Sequence, residues 1–354
     1  MTLRTAIYAC MAGGILVLSL AILYVLPNFA REITSREIER TAQTRTESLA
    51  LGLARTLFDD WEDLSRLAER IPTLEPEFAR VYLDGVASSG RVSWVGYAGT
   101  NGIVQVASGG LLEGEDVSPR RWFSGGLNGG YAVDVHEAVL LQRLLAPDAT
   151  EALRFIDLSL PVTNAAGRTI GVLGLHIDAD WLEGFLAESA AVRDLDVFLV
   201  AANGQVEFST VELEGAAGEI AALRAASAGT AMVAEEIWPD GKSYVSAVVP
   251  EVGYRTLPSF GWRLVGRVSA DSLAATEAHV VRHIIGLGLA AAVIFMLAAF
   301  AFQRFYLRPV ERLIATAERM SRGESAYPDE IRSSREGERL AAALVRLQSR
   351  QGSG

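Results

Sequence analysis

The sequence has one cysteine, Cys10, one lysine, Lys242, against 31 arginines, and four histidines in 354 residues. A single cysteine excludes an intramolecular disulfide and a cysteine-built zinc centre. The near absence of lysine fits a bacterial chain of high GC content. No phosphate loop, no Gly-x-Ser-x-Gly elbow and no His-Glu-x-x-His occurs, so the common nucleotide-binding and hydrolase signatures are missing and no catalytic residue is nominated. The doublets Gly125-Gly126 and Gly129-Gly130 lack the acidic-acidic-Phe continuation of a diguanylate cyclase, and no histidine follows Arg304 as a kinase phosphosite. Basic clusters for a polyanion are missing too: the formal net charge is -11, which disfavours nucleic acid as a partner.

Two long uncharged runs are present, Ala6 to Leu26 and Ile284 to Phe302. Each is long enough to cross about 30 Å of hydrocarbon as a helix. The first is too long for the apolar core of a signal peptide and lacks a small-x-small cleavage site, so an uncleaved anchor is expected. Arg4 before the first run, and Arg304, Arg308, Arg312, Arg319 and Arg322 after the second, place both termini in the cytoplasm by the bias of basic residues. The segment between them is then extracytoplasmic and acidic, since ten Arg stand against seven Asp and Glu from Arg304 onward.

From Leu49 the apolar positions Leu53, Leu57, Trp61, Leu64, Ala68 and Ile71 recur at steps of three and four. Arg55, Asp59, Asp60, Glu62, Asp63, Arg66 and Glu69 fill the other face, which predicts one long amphipathic helix ended by Pro72. No breaker interrupts Arg31 to Glu47, so this helix is expected to rise from the membrane, where it can also form a dimer seam. Beyond it, runs of β-formers at Val92–Tyr97, Ile103–Ala107, Phe155–Val162, Thr169–Ile177, Val197–Val200, Tyr244–Val249 and Trp262–Val268 predict strands. Asn101-Gly102, Asn203-Gly204 and Asp240-Gly241 are hairpin-turn dipeptides. Tyr97 to Ser108 is similar to Phe198 to Ser209, and an Ala-Asp-x-Leu step follows each copy, at Ala179 and at Ala270. Two related antiparallel-sheet modules in tandem, divided near Ala187 to Asp194, are therefore expected.

Arg120-Arg121-Trp122-Phe123, the stretch Gly171 to Ile177, Gly253-Tyr254-Arg255 and Gly261-Trp262-Arg263 together resemble the double Cache family of bacterial extracytoplasmic sensors. After the second span, Leu307-Arg308-Pro309-Val310 with Leu313, Ala317 and Met320, and then Glu336 to Leu344, look like the two helices of a HAMP module. Arg335, Gly337 and Glu338 depart from the usual start of its second helix. The apolar stripes of such a hairpin are buried only in a four-helix bundle, so a homodimer is implied.

The resemblance implies an α+β fold class: two transmembrane helices flanking a long helix and a tandem PAS-like ectodomain, then a helical-hairpin HAMP. The expected boundaries are 1–5 cytoplasmic, 6–28 and 283–303 transmembrane, 29–280 sensor and 304–351 HAMP. Within the sensor, 29–72 is the long helix, 73–190 the membrane-distal module and 191–275 the membrane-proximal module. Ligand contacts in the family come from the Arg-x-Trp-aromatic motif and the strand closing the module. Carried over, these nominate Arg120, Trp122 and Phe123, with Tyr131 and Asp134 as neighbours and His176 on the closing strand. A guanidinium can fork onto a carboxylate while aromatic walls exclude water. Amino-acid-binding members carry an acid where His176 stands, and a neutral imidazole is no counter-ion for an ammonium group. A carboxylate is thus at least as well suited as an amino acid. His136-Glu137 near Asp134, and His176-x-Asp178-x-Asp180, lack the spacing of zinc sites. Each is read as a surface His–acid pair, and no metal or cofactor is expected.

The sequence as a whole thus predicts a two-pass receptor of the bacterial inner membrane, sensing a small extracytoplasmic molecule and signalling through HAMP. Its output is expected to lie in a cytoplasmic partner or in the lost remainder of a cyclase, chemoreceptor or kinase. A periplasmic partner-binding protein is the competing expectation.

Overall fold

The computed structural model describes residues 3–20, 24, 26–138, 141, 152–213, 215–329 and 335–351. The chain forms two units, Ser35–Leu273, and Met1–Thr34 together with Ala274–Gly354.

Helix α1 is Leu3–Leu20 and α2 is Leu26–Arg70, which enters the Ser35–Leu273 unit at Ser35. A 3-10 turn at Ile71–Thr73 ends α2 at Pro72, where the ring removes the donor that the next helical turn needs. The predicted stripe Leu49, Leu53, Leu57, Trp61, Leu64, Ala68 and Ile71 is buried throughout. Asp60 departs from the expected polar face: it is buried, and both its carboxylate oxygens accept from Arg91 Nε, at 2.9 and 2.8 Å. Three residues beyond Leu57, it lies inside the core stripe, and the guanidinium supplies the counter-charge that burial requires.

Helix α3 is Pro76–Ala87. Two five-stranded antiparallel sheets follow, with the same strand order. The first runs β2-β1-β5-β4-β3, from β1 Val92–Gly99, β2 Val104–Ala107, β3 Tyr131–Glu137, β4 Arg154–Thr163 and β5 Thr169–Asp178. The second runs β7-β6-β10-β9-β8, from β6 Asp196–Val200, β7 Val206–Ser209, β8 Met232–Ile237, β9 Ser243–Val249 and β10 Arg263–Ser269. The three turn dipeptides join β1 to β2, β6 to β7 and β8 to β9. Their glycines hold the left-handed conformation, with φ of 78° at Gly102, 85° at Gly204 and 78° at Gly241. The unpredicted strands β3, β7 and β8 lie at sheet edges, where partial burial blurs alternation.

Short helices α4 Arg121–Gly126 and α6 Ala221–Ser227 cover the outer faces of the sheets, and α5 Ala179–Val192 links the modules. The inner faces share one core with α2: Val95, Leu158, Leu173 and Leu175 from the first sheet, Val197, Leu199 and Leu264 from the second. The Ala-Asp-x-Leu steps start the helices that follow β5 and β10, namely α5 and α7 Ala270–Phe302.

In the other unit, a π turn at Gln303–Leu307 separates α7 from α8 Arg308–Ser321, and α9 is Arg335–Gln351. Leu313 of α8 packs with Ala341 and Leu344 of α9. Among the described residues one helical stretch, Arg282–Ser321, is long and apolar enough to cross a membrane. Part of the expected first span, residues 21–23 and 25, and part of the HAMP connector, residues 330–334, lie outside the described residues.

Candidate functional site

Alternation on β4 and β5 builds the site. Leu173, Leu175 and Ile177 face α2, so Val172, Gly174 and His176 face outward. On β4, Ile156 and Leu158 face α2, leaving Phe155, Asp157 and Ser159 on the same outer face as His176. Helix α4 roofs that face. Trp122 packs against β5, where a Cβ on Gly174 would stand 2.6 Å from the indole, so only glycine admits the ring. The Ser159 hydroxyl donates to the Trp122 carbonyl at 2.7 Å.

Beneath the roof is a cavity of about 190 Å³, with walls of Leu112, Val117, Pro119, Trp122, Val133, Ala138 and Leu141. Its polar groups are Arg120, Arg121, His136, Glu137, Asp157 and His176. Asp157 and His176 are adjacent across the β4–β5 ladder. His176 Nδ1 lies 2.5 Å from Asp157 Oδ1, and His136 Nε2 lies 3.2 Å from Oδ2. Oδ2 is nevertheless buried without a well-directed hydrogen bond among the described residues. Burial pushes the Asp157 carboxyl up, but the two imidazoles overcome it and hold it below the usual carboxylate range. Burial likewise lowers His136, and the Asp157 carboxylate outweighs this, leaving His136 above its ordinary value. Aromatic rings enclose His176: Trp94 stacks on it at 4.8 Å, and Trp122 meets it edge-on at 5.9 Å.

The nominated residues separate into two groups. Arg120, Trp122 and His176 line the cavity together. Arg120 precedes the first turn of α4, is exposed, and has no carboxylate within ion-pair distance among the described residues. Phe123 is buried in the core edge-on to Trp122, and Tyr131 packs against Gly125. Asp134 turns toward the second module, accepting a hydrogen bond from the Trp262 indole.

The surface His–acid pairs are corrected: His176 is buried and bound to Asp157, while Asp178 caps α5, accepting from the Asp180 amide at 2.9 Å. His136 pairs with Asp157 rather than Glu137. Among the described residues no group of three His, Cys, Asp or Glu is placed to hold a metal ion. Asp157 was missed. Its signal is the alternation Phe155-Ile156-Asp157-Leu158-Ser159, which in isolation is indistinguishable from a solvent-facing polar edge.

The chain matches no protein-family profile and no curated protein sequence. In structure it is similar to the ligand-binding domain of the Pseudomonas fluorescens chemoreceptor CtaA in complex with L-isoleucine. The TM-score is 0.50 at 18% identity, over 70% of this chain and 98% of that one. The ligand-binding domain of the Pseudomonas aeruginosa PAO1 amino acid chemoreceptor PctB, in complex with L-Arg, aligns at TM-score 0.49 and 13% identity, over 70% and 96%. At such identities the likeness defines the fold, a long helix with tandem PAS-like sheets as in extracellular sensor domains.

Proposed function

We propose that the chain is a two-pass, homodimeric receptor of the bacterial inner membrane that binds a small extracytoplasmic molecule and relays the event through HAMP. The observation that carries this reading is the first-module cavity, lined by Arg120, which has no ion-pair partner among the described residues, by apolar walls and by the buried Asp157. Such a combination orients a small polar ligand. The structural neighbours are sensor ligand-binding domains, and some are solved with amino acids, which supports a receptor over an enzyme.

The chain passes from β10, ending at Ser269, into α7, beginning at Ala270, without a loop. A displacement of the second sheet is thereby passed to the helix that carries the apolar span. Transmission requires unequal ligand affinity for two states of the receptor.

The test is a thermal-shift screen of the full chain in detergent against small metabolites, repeated with Arg120→Ala. A stabilisation that the variant loses supports the sensor. Absence of any stabilising compound favours a partner-binding protein, whose docking surface would include the exposed row Phe78, Val81 and Tyr82 on α3.

A further inference from the structure

We infer that the first module carries a second ligand site, on the face of its sheet away from Trp122, which takes an uncharged molecule with a compact apolar body and one polar head and disfavours ions. This does not depend on reading the Trp122 cavity as the receptor's ligand site.

The site is a cavity of about 240 Å³ beside the turn that ends α2. Tyr97 of β1 and Val106 of β2 line it and belong to the core shared with α2, and Leu74 and Ile170, also in its walls, pack against that core. The Trp122 cavity is lined from the cluster on the other face. Local backbone holds the second cavity open. Pro72 and Pro76 line it and fix the chain on either side of Leu74, whose amide donates to the Ile71 carbonyl at 3.2 Å. A Cβ on Gly171 would stand 2.4 Å from the Tyr97 ring, so glycine there admits the phenol. Walls set in advance lower the ordering cost of binding.

Volume and polarity set the ligand class. An apolar cavity of about 150 Å³ is enough for benzene, so 240 Å³ holds a six-membered ring with a substituent. No charged side chain lines the cavity, and its polar side chains are Tyr97 and Gln105. The Tyr97 hydroxyl donates to the Ile170 carbonyl at 3.0 Å, which leaves its oxygen able to accept. Gln105 is exposed, and its carboxamide has no hydrogen-bond partner among the described residues. That group offers donors and an acceptor but no charge. A ligand hydroxyl or carbonyl is satisfied there, whereas a carboxylate or ammonium gives up hydration to groups that return no counter-charge. Glu75 and Glu77 flank Pro76 but are exposed, where pairing with a ligand cation adds little. One sheet thus has an arginine-lined cavity on one face and a neutral cavity on the other, and an occupant of the second touches the turn at the end of α2.

Cyclohexanol, cyclohexanecarboxylate and cyclohexylammonium share one ring and differ in the head group. Each is titrated at neutral pH into the full chain in detergent, with isotope-labelled isoleucine methyls read by NMR. The signals of Ile71 and Ile170, both in the cavity wall, are identified by Ile71→Val and Ile170→Val. Cyclohexanol is expected to shift both signals to saturation and to bind about tenfold or more tighter than either ion. Ala79→Phe, which fills the cavity from α3, should abolish the shifts. Gln105→Ala, at an exposed position, should weaken cyclohexanol by about threefold or more. The absence of a saturable shift at Ile71 and Ile170 overturns the site, as do shifts that persist in a folded Ala79→Phe chain. An ion that binds as tightly as cyclohexanol overturns the neutral class, and an unchanged affinity in Gln105→Ala overturns the role of Gln105. These reporters lie outside the Trp122 cavity, so each outcome is separate from the receptor reading.

Discussion

The two modules share strand order and a common core against α2, yet their outer faces are built to opposite ends. Aligned on the Ala-Asp steps that follow β5 and β10, His176 corresponds to Arg267. His176 stands beside Asp157 on β4, and Arg267 beside Ser246 on β9. In the first module the imidazole leaves an open cavity lined by the buried Asp157. In the second, the longer Arg267 side chain fills the place itself, its guanidinium 3.8 Å from the Tyr244 ring and 4.2 Å from Trp238, and its Nε donating to Asp196 at 2.9 Å. The second site carries its own tethered cation. One scaffold thus carries an open cavity in one module and a filled place in the other through the side chains on one sheet face, as expected when such differences reside in a site rather than in a fold.

The contrast is broken most severely by Arg267→Ala. Emptying the aromatic box of a buried cation and stranding Asp196 should destabilise the chain by about 3 kcal/mol, read by denaturant unfolding in detergent. Gly174→Ala follows at about 1–3 kcal/mol, because its methyl would overlap the Trp122 indole. That variant should also weaken ligand response by moving the cavity wall, whereas Gly184→Ala, with open space around the new methyl inside helix α5, should leave ligand response unchanged and raise stability by about 0.5–1 kcal/mol.

A smaller effect is expected from pH. His136 titrates above its ordinary value in the folded state, so its contribution is complete below about pH 6.5 and is lost as pH rises through the folded value. Asp157 titrates below its ordinary value, so its contribution is present above about pH 3.9 and is lost as pH falls through the depressed value. Melting temperature should therefore be highest under mildly acidic conditions. His136→Gln should remove the alkaline decline. The smallest effect belongs to Arg120→Ala, an exposed position without an ion-pair partner among the described residues, where the unliganded stability should change by less than about 0.5 kcal/mol. A large destabilisation there would show Arg120 to be structural.

Much of the architecture was legible beforehand. The stripe from Leu49 to Ile71 specifies a helix because only a 3.6-residue period brings those positions to one side. The Asn-Gly and Asp-Gly pairs specify hairpins because few other residues accept a positive φ. The tandem arrangement was written in the repeat of Tyr97–Ser108 at Phe198–Ser209. Edge strands such as β8, and the burial of Asp60, were not legible, because partial burial and a core-facing acid each mimic a solvated surface.

The sequence by itself determined the long helix, the hairpins and the two-module order, since these depend on local period and backbone freedom, whereas the motif that roofs the site was legible only through a family resemblance. Only the tertiary structure decided the contents of the site. Asp157 joins His176 through strand register and joins His136 through an edge strand that no local pattern announced. The same packing sends Asp134 to Trp262 and Phe123 into the core. Which polar residue faces a cavity, and which faces water, is decided by what packs above the strand.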